Sequence, residues 1–303
     1  MNTKVNIAGV TLNNPIVTAS GTFGNGWETG QYFNLSELGA ICVKAITLKP
    51  KEGNPSPRIA EVTAGILNSV GLQNPGVEHF LTYDVPNLKR YDTKIIANIS
   101  GSSIEENEEI ATVLGDSVDL IELNISCPNV KEGGVAFGTD CGMVAEITKK
   151  VKAKCKVPLI VKLSPNVTNI SEIAKSAENA GADALSLINT LYGMKIDVKS
   201  RRPVLARNAG GFSGPAIKPV AVRMVWEVAK AVKVPLIGMG GVMNGEDVAE
   251  FMIAGATAVA TGTANLVTPD ASLTIKNEFL KFMSDNNIDD VNELIGSIRE
   301  NQL

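Results

Sequence analysis

Two lysines interrupt apolar runs: Lys44 in AICVKAI (residues 40–46) and Lys162 in VPLIVKL (residues 157–163). Burying a lone ammonium is costly, so each must be ion-paired, functional or at the edge of its element. A structural ion pair meets that demand. So does an anionic ligand, which two lysines on separate runs favour. Cys127, in NISCPN (residues 124–129), follows a third apolar run and precedes Pro128, whose ring disfavours helix directly before it. A cysteine there is either an inert core residue or, where its surroundings lower its pKa, a base. The polar stretch after it, NVKEGG (129–134), suits a loop that closes over a ligand. Glycine-rich turns are the third component: Gly238-Met-Gly240-Gly241 and Thr261-Gly262-Thr263. Such turns bring backbone N–H groups close to a phosphate, although glycine also marks bare turns. The pattern G-x-G-x-x-G is not completed, because Met243 takes the last glycine's place, so NAD binding by this chain is unsupported.

Short β-rich runs alternating with helical patterns must position these residues. Strands are predicted at 15–20, 40–46, 94–99, 118–125, 157–163, 182–188, 234–239 and 256–261. Helices are predicted over 104–114, from near Asp140, over 170–180 and 246–254, and in the C-terminal region. Several strands are nearly continuous apolar runs, the mark of a parallel sheet buried on both faces. Eight such units in about 250 residues fit a closed (β/α)8 barrel, an α/β TIM barrel forming a single domain. A doubly wound open sheet is the competing fold. Residues 5–13 read as a short hairpin at the barrel bottom. In a barrel the chemistry sits at the C-terminal strand ends. Those ends carry Ala19-Ser20-Gly21, Lys44, Asn98, Asn124, Lys162, Asn189-Thr190 and the two glycine-rich turns. The connections 47–93 and 189–217 exceed ordinary βα loops and are expected to serve the site.

Composition excludes several classes. The 303 residues carry 28 basic and 32 acidic side chains in mixture, with no basic stripe for nucleic acid. The N-terminal stretch lacks the long apolar segment of a signal peptide. No apolar run approaches the roughly 18 residues that span a bilayer, so a cytoplasmic protein is expected. The four cysteines and one histidine form no C-x-x-C or clustered set, so neither zinc nor disulfides are expected. Cys42 and Cys155 read as small hydrophobes, and His79 as structural or solvated. With one histidine and no nucleophile elbow, a Ser-His-Asp or Cys-His hydrolase is disfavoured.

Taken together, NISCPN, the ASG of residues 19–21, Lys44, NSVGLQN (68–74), VKLSP around Lys162, GGFSGP (210–215) and GMGGV (238–242) resemble the class 1 dihydroorotate dehydrogenases along essentially the whole chain. The resemblance implies a TIM barrel with FMN at its C-terminal face and Cys127 as the base. The segment NVKEGGVAFGTD looks like the NAD-linked subclass, class 1B. Its catalytic subunit, a homodimer within a heterotetramer, passes electrons to a partner subunit carrying FAD and a 2Fe-2S cluster, and so to NAD. The implied reaction is oxidation of dihydroorotate to orotate in pyrimidine biosynthesis. Cys127 takes the C5 proton, and the C6 hydride goes to FMN N5.

The same resemblance implies that Lys162 faces the edge of the flavin where charge develops. Lys44, Asn68, Ser69, Val70, Gly71, Leu72, Asn124, Asn129, Asn189 and Thr190 are implied to hold the substrate. Ala19, Ser20, Gly21, Lys44, Ala45, Asn98, Asn124, Lys162, Ile188, Gly214, Gly240, Gly241, Gly262 and Thr263 are implied to hold FMN. Four alternatives stay open. They are a fumarate-using class 1A homodimer, a dihydropyrimidine dehydrogenase-like flavoenzyme, an aldolase or isomerase with a Lys162 Schiff base, and a barrel that only binds.

Overall fold

A computed structural model of the chain describes residues 1–126 and 137–301. The eight barrel strands are β1 (Ile16–Thr18), β2 (Ala40–Cys42), β3 (Lys94–Ile99), β4 (Leu120–Asn124), β5 (Leu159–Lys162), β6 (Ala184–Leu187), β7 (Leu236–Met239) and β8 (Ala258–Thr261). They pair in parallel in chain order, and β8 closes back onto β1. Nearly every strand residue is buried, because crossover helices cover the outer face of a parallel sheet while side chains fill its interior. The open-sheet alternative is thereby set aside.

Four of the helices begin where the sequence supplies side-chain caps. Ser103, Asp140, Asn169 and Asn244 each accept from a backbone N–H of the first turn of Ile104–Leu114, Cys141–Lys152, Ile170–Asn179 and Gly245–Ile253. These caps satisfy donors that a helix start otherwise leaves bare. Several predicted strands run past the observed ones. After Cys42 the backbone leaves the regular ladder: Lys44 N–H donates to Gly24 O at 2.9 Å instead of to a barrel neighbour.

The expected N-terminal hairpin forms from Val5–Ile7 and Val10–Leu12, and Val5, Ile7 and Leu12 join the main core. The two long connections hold structure the sequence reading did not resolve. Their strands assemble into one antiparallel sheet, in the order Leu191–Met194, Ala209–Ser213, Gly65–Asn68, Ile59–Val62. Ala60, Leu67 and Leu205 give it a small core of its own. This sheet ties the segment after β2 to the segment after β6.

Among the described residues, no helix is long and apolar enough to cross a membrane. His79 sits at the surface with Nδ1 3.3 Å from Asp84 Oδ2, a structural contact as expected. Asp84 is buried and also accepts from Trp27 Nε1 and Asn25 Nδ2.

Candidate active site

The site is built from the strand alternation. Within a strand, side chains two residues apart share a face, so Glu122 and Asn124 of β4 rise as a stacked pair. Contacts between strands that are not neighbours show that this face is the barrel interior. Glu122 on β4 accepts from Cys42 Sγ on β2 at 3.3 Å and from Ser186 Oγ on β6 at 2.6 Å. It also accepts from Asn98 Nδ2 on β3 at 2.5 Å and lies 3.5 Å from Lys162 Nζ on β5. Glu122, Asn98 and Lys162 are all buried.

This layer resolves the two readings of the lysines differently. Lys162 has a structural ion pair, with Glu122. Lys44 has none among the described residues. Its ammonium lies near Gly21, where an added Cβ would sit 3.5 Å from Nζ. Burial, and then the charges of Arg58 and Lys162, hold the Lys44 pKa below the ordinary lysine value. A half-buried cation among cations is an arrangement that awaits an anion. Burial alone would raise the Glu122 pKa. The Lys162 charge and hydrogen bonds from Ser186, Asn98 and Cys42 outweigh it, and the net direction is down.

Cys42 corrects one expectation. It is buried, as a small hydrophobe would be, but its thiol donates to Glu122. Burial, and then the Glu122 charge, push its pKa well up. Cys155 is closer to expectation: its burial raises the thiol to about 11, it packs against the main core, and its thiol donates to Val151 O.

Above the layer, Asn189 Nδ2 donates to Asn124 Oδ1 at 3.2 Å, and Asn124 Oδ1 also accepts from Ser126 N–H. Asn189 Oδ1 takes the N–H of Thr190. Thr190 in turn packs on Gly211, where any Cβ would fall 2.0 Å from Thr190 Oγ1. Asn68 pairs with Gly211 and donates to its carbonyl at 3.3 Å. Asn68, Asn124, Asn189 and Thr190 are thus brought together through the small sheet.

The turn from Ser69 to Leu72 is strapped to a neighbouring segment. Asn54 donates from Nδ2 to Ser69 O and from its backbone N–H to Val70 O. Gly71 and Leu72 adopt positive φ, and a Cβ at Gly71 would strike Asn54.

Besides Asn98, Asn124 and Lys162 on β3, β4 and β5, the expected cofactor residues lie at five consecutive strand ends, β6, β7, β8, β1 and β2, with Gly214 directly after the small-sheet strand Ala209–Ser213. Ile188 N–H donates to Met239 O at 3.0 Å, and a Cβ at Gly240 would lie 3.4 Å from the Ile188 side chain. Gly241 packs against Gly214: its Cβ would meet the Gly214 carbonyl at 2.9 Å. Ala19 N–H donates to Thr261 O, and Gly262 faces Ala19 across the β8–β1 seam. Thr263 Oγ1 donates to Ser213 Oγ at 2.9 Å, linking this rim to the small sheet. Ser20 and Gly21 continue from Ala19 toward Lys44, and Ala45 is buried beside it.

Cys127 and Asn129, and the loop expected to close over a ligand, lie outside the described residues. A surface groove of about 740 Å³ between the helices Cys141–Lys152 and Ile170–Asn179 is lined by Cys141, Lys149 and Lys175 and holds none of the expected site residues.

Sequence reasoning missed Glu122 and Ser186. Glu122 carries the signal that singled out the lysines, a charge inside an apolar run (LIELN), and could have been found by it. Ser186 and Arg58 carry no such signal.

The residues present fit a flavin nucleotide. Asn98 Oδ1, Ser69 Oγ and Ser126 Oγ are buried with no partner among the described residues. Buried polar atoms are rarely left so without a ligand or water. An amide acceptor, free cationic donors and a glycine rim together suit a polar ring bearing a phosphate.

Comparison with known proteins agrees with this geometry. The family model described as dihydroorotate dehydrogenase matches residues 2–283. A relative from Alkaliphilus metalliredigens named dihydroorotate dehydrogenase B (NAD(+)), catalytic subunit, is 59% identical over 98% of this chain and 99% of its own. One of the same name from Lachnoclostridium phytofermentans is 56% identical over 99% of this chain and 100% of its own. The crystal structure of a dihydroorotate dehydrogenase from Eimeria tenella in complex with ferulenol superposes with a TM-score of 0.82 at 25% identity, covering 98% of this chain and 88% of that one. On the family match over residues 2–283 and these identities, the chain belongs to the dihydroorotate dehydrogenase family.

Proposed function

We propose that this chain is the catalytic subunit of an NAD-linked, class 1B dihydroorotate dehydrogenase that oxidises dihydroorotate to orotate. One observation carries the reading. Asn124, Asn189 and Thr190 are hydrogen-bonded to one another at the strand ends above a buried layer that includes Lys162 and Asn98, in a chain matched to this family over residues 2–283.

FMN, when bound, supplies the hydride acceptor. Asn98, Lys44, Lys162, Asn124 and Ile188 would hold its ring, and Ala19, Ser20, Gly21, Ala45, Gly214, Gly240, Gly241, Gly262 and Thr263 would line the rest of its course. Asn68, Asn124, Asn129, Asn189 and Thr190 would bind the pyrimidine and its carboxylate, since each amide offers both a donor and an acceptor. The turn Ser69-Val70-Gly71-Leu72 would close one side. Cys127 would take the C5 proton. Lys44 provides the positive charge that the substrate carboxylate needs, and Lys162 stabilises negative charge developing during oxidation.

The words "NAD(+)" and "catalytic subunit" in the relatives' names support a separate electron-transfer subunit, here one carrying FAD and a 2Fe-2S cluster. The expected assembly is a homodimer of this chain within a heterotetramer, in the cytoplasm.

Anaerobic addition of dihydroorotate to the purified chain is expected to bleach its visible flavin band. A yellow protein that does not bleach, or a colourless one, overturns the reading. Turnover with fumarate by the chain alone would indicate the class 1A alternative, and oxidation of the reduced protein by uracil the dihydropyrimidine dehydrogenase-like one.

A further inference from the structure

A carboxylate at the centre of a barrel is expensive to desolvate. Glu122 lies there with 2% of its surface exposed. Its four side-chain partners come from four different strands: Asn98, Cys42, Lys162 and Ser186. Two residues further along β4 stands Asn124 of the proposed site, hydrogen-bonded to Asn189, so this layer is the floor beneath it.

Two of the four partners, Asn98 and Lys162, are themselves proposed flavin contacts. An ionised carboxylate accepts hydrogen bonds and donates none. Asn98 must therefore turn its amide nitrogen toward Glu122. Its Oδ1 is left as an acceptor, and that oxygen is buried with no partner among the described residues. The Lys162 ammonium has three donor hydrogens. Among the described residues its one partner is Glu122, at 3.5 Å, which leaves donors to spare.

We infer that Glu122 is a positioning residue that sets the reduction potential of the bound flavin, by offsetting the charge of Lys162 and by fixing Asn98 as an acceptor. The inference rests on the flavin reading above. In a low-dielectric interior an uncompensated cation favours the negative charge that reduction brings, and a nearby carboxylate opposes it. A role confined to stability would lower the unfolding temperature of a Glu122 variant and leave the potential where it was.

The test is the midpoint potential of the FMN-loaded chain, titrated against a reference dye, for wild type, Glu122→Gln and Glu122→Asp. Glu122→Gln is expected to move the potential positive by at least tenfold in the ratio of affinities for reduced and oxidised cofactor, about 30 mV for a two-electron couple. Glu122→Asp keeps the charge and is expected to stay near wild type. An unchanged or more negative potential in Glu122→Gln overturns the inference, as does an equal shift in both variants. Should Glu122→Gln not fold, Glu122→Gln/Lys162→Met, whose pair carries no charge, is compared with Lys162→Met. The double variant is expected to have the higher potential, and equal potentials overturn the inference. A chain that takes up no FMN overturns the flavin reading and this inference together. An FMN-loaded chain that dihydroorotate reduces, but whose potential does not respond, overturns only the role of Glu122.

Discussion

Asn189 donates from Nδ2 to Asn124 Oδ1 at 3.2 Å and thereby joins the end of β4 to the segment after β6, across a strand that separates them. Asn124 stands three residues before Cys127. The amide pair therefore anchors one end of the segment that carries the proposed base.

Replacing that base leaves the amide pair and the floor intact. Cys127→Ala and Cys127→Ser are each expected to cut turnover at least roughly a hundredfold while FMN stays bound, the scale of losing a general base. Steady-state rates with flavin content measured alongside decide it. A near-normal rate at neutral pH removes Cys127 from the mechanism.

Lys162→Ala has two expected effects. Flavin reduction in stopped-flow slows by about a hundredfold, the scale of losing one charge-stabilising group. Stability falls by about 3 kcal/mol or more, because Glu122 is left buried and unpaired. An unchanged reduction rate rejects the electrostatic assignment even if the stability loss is seen.

Gly211→Ala tests the link between the small sheet and the pocket. The new methyl would fall 2.0 Å from Thr190 Oγ1 and 2.7 Å from Thr190 Cβ, so Thr190 must move. The KM for dihydroorotate is expected to rise about tenfold or more, since small displacements of positioning groups are costly. FMN content should be unchanged. A normal KM would separate Thr190 from substrate binding.

Acid stability should carry the mark of Glu122. Its folded pKa lies below the ordinary value of 4.5, because Lys162 and its hydrogen-bond donors outweigh the effect of burial. The folded state therefore holds this proton less tightly than the unfolded chain. The stabilisation is fully present above the ordinary glutamate range and is lost as pH falls through the depressed value. In urea unfolding across that acid range, wild type is expected to lose stability relative to Glu122→Gln. A difference between the two that stays constant with pH would contradict this.

Much of the barrel was legible because its strands are apolar on both faces and four of its helices open on Ser, Asp or Asn caps. Lys94–Ile99 and Ile104–Leu114 are found where periodicity placed them. Lys44 and Lys162 stood out for the same reason, as charges in runs that must be buried. The pairing of Asn68 with Gly211 was not legible. The strands involved are short and glycine-containing, and they lie 143 residues apart in the chain, so no local pattern marks their contact.

The sequence alone thus determined the alternation of strand and helix, and with it which residues stand at the C-terminal strand ends, because period and capping are local properties of the chain. Only the tertiary structure decided which of those residues meet. Closure of the sheet brings Cys42, Asn98, Lys162 and Ser186 around one carboxylate from four strands. A buried charge is tolerable only when its partners are in place, and those partners exist only once the barrel has closed.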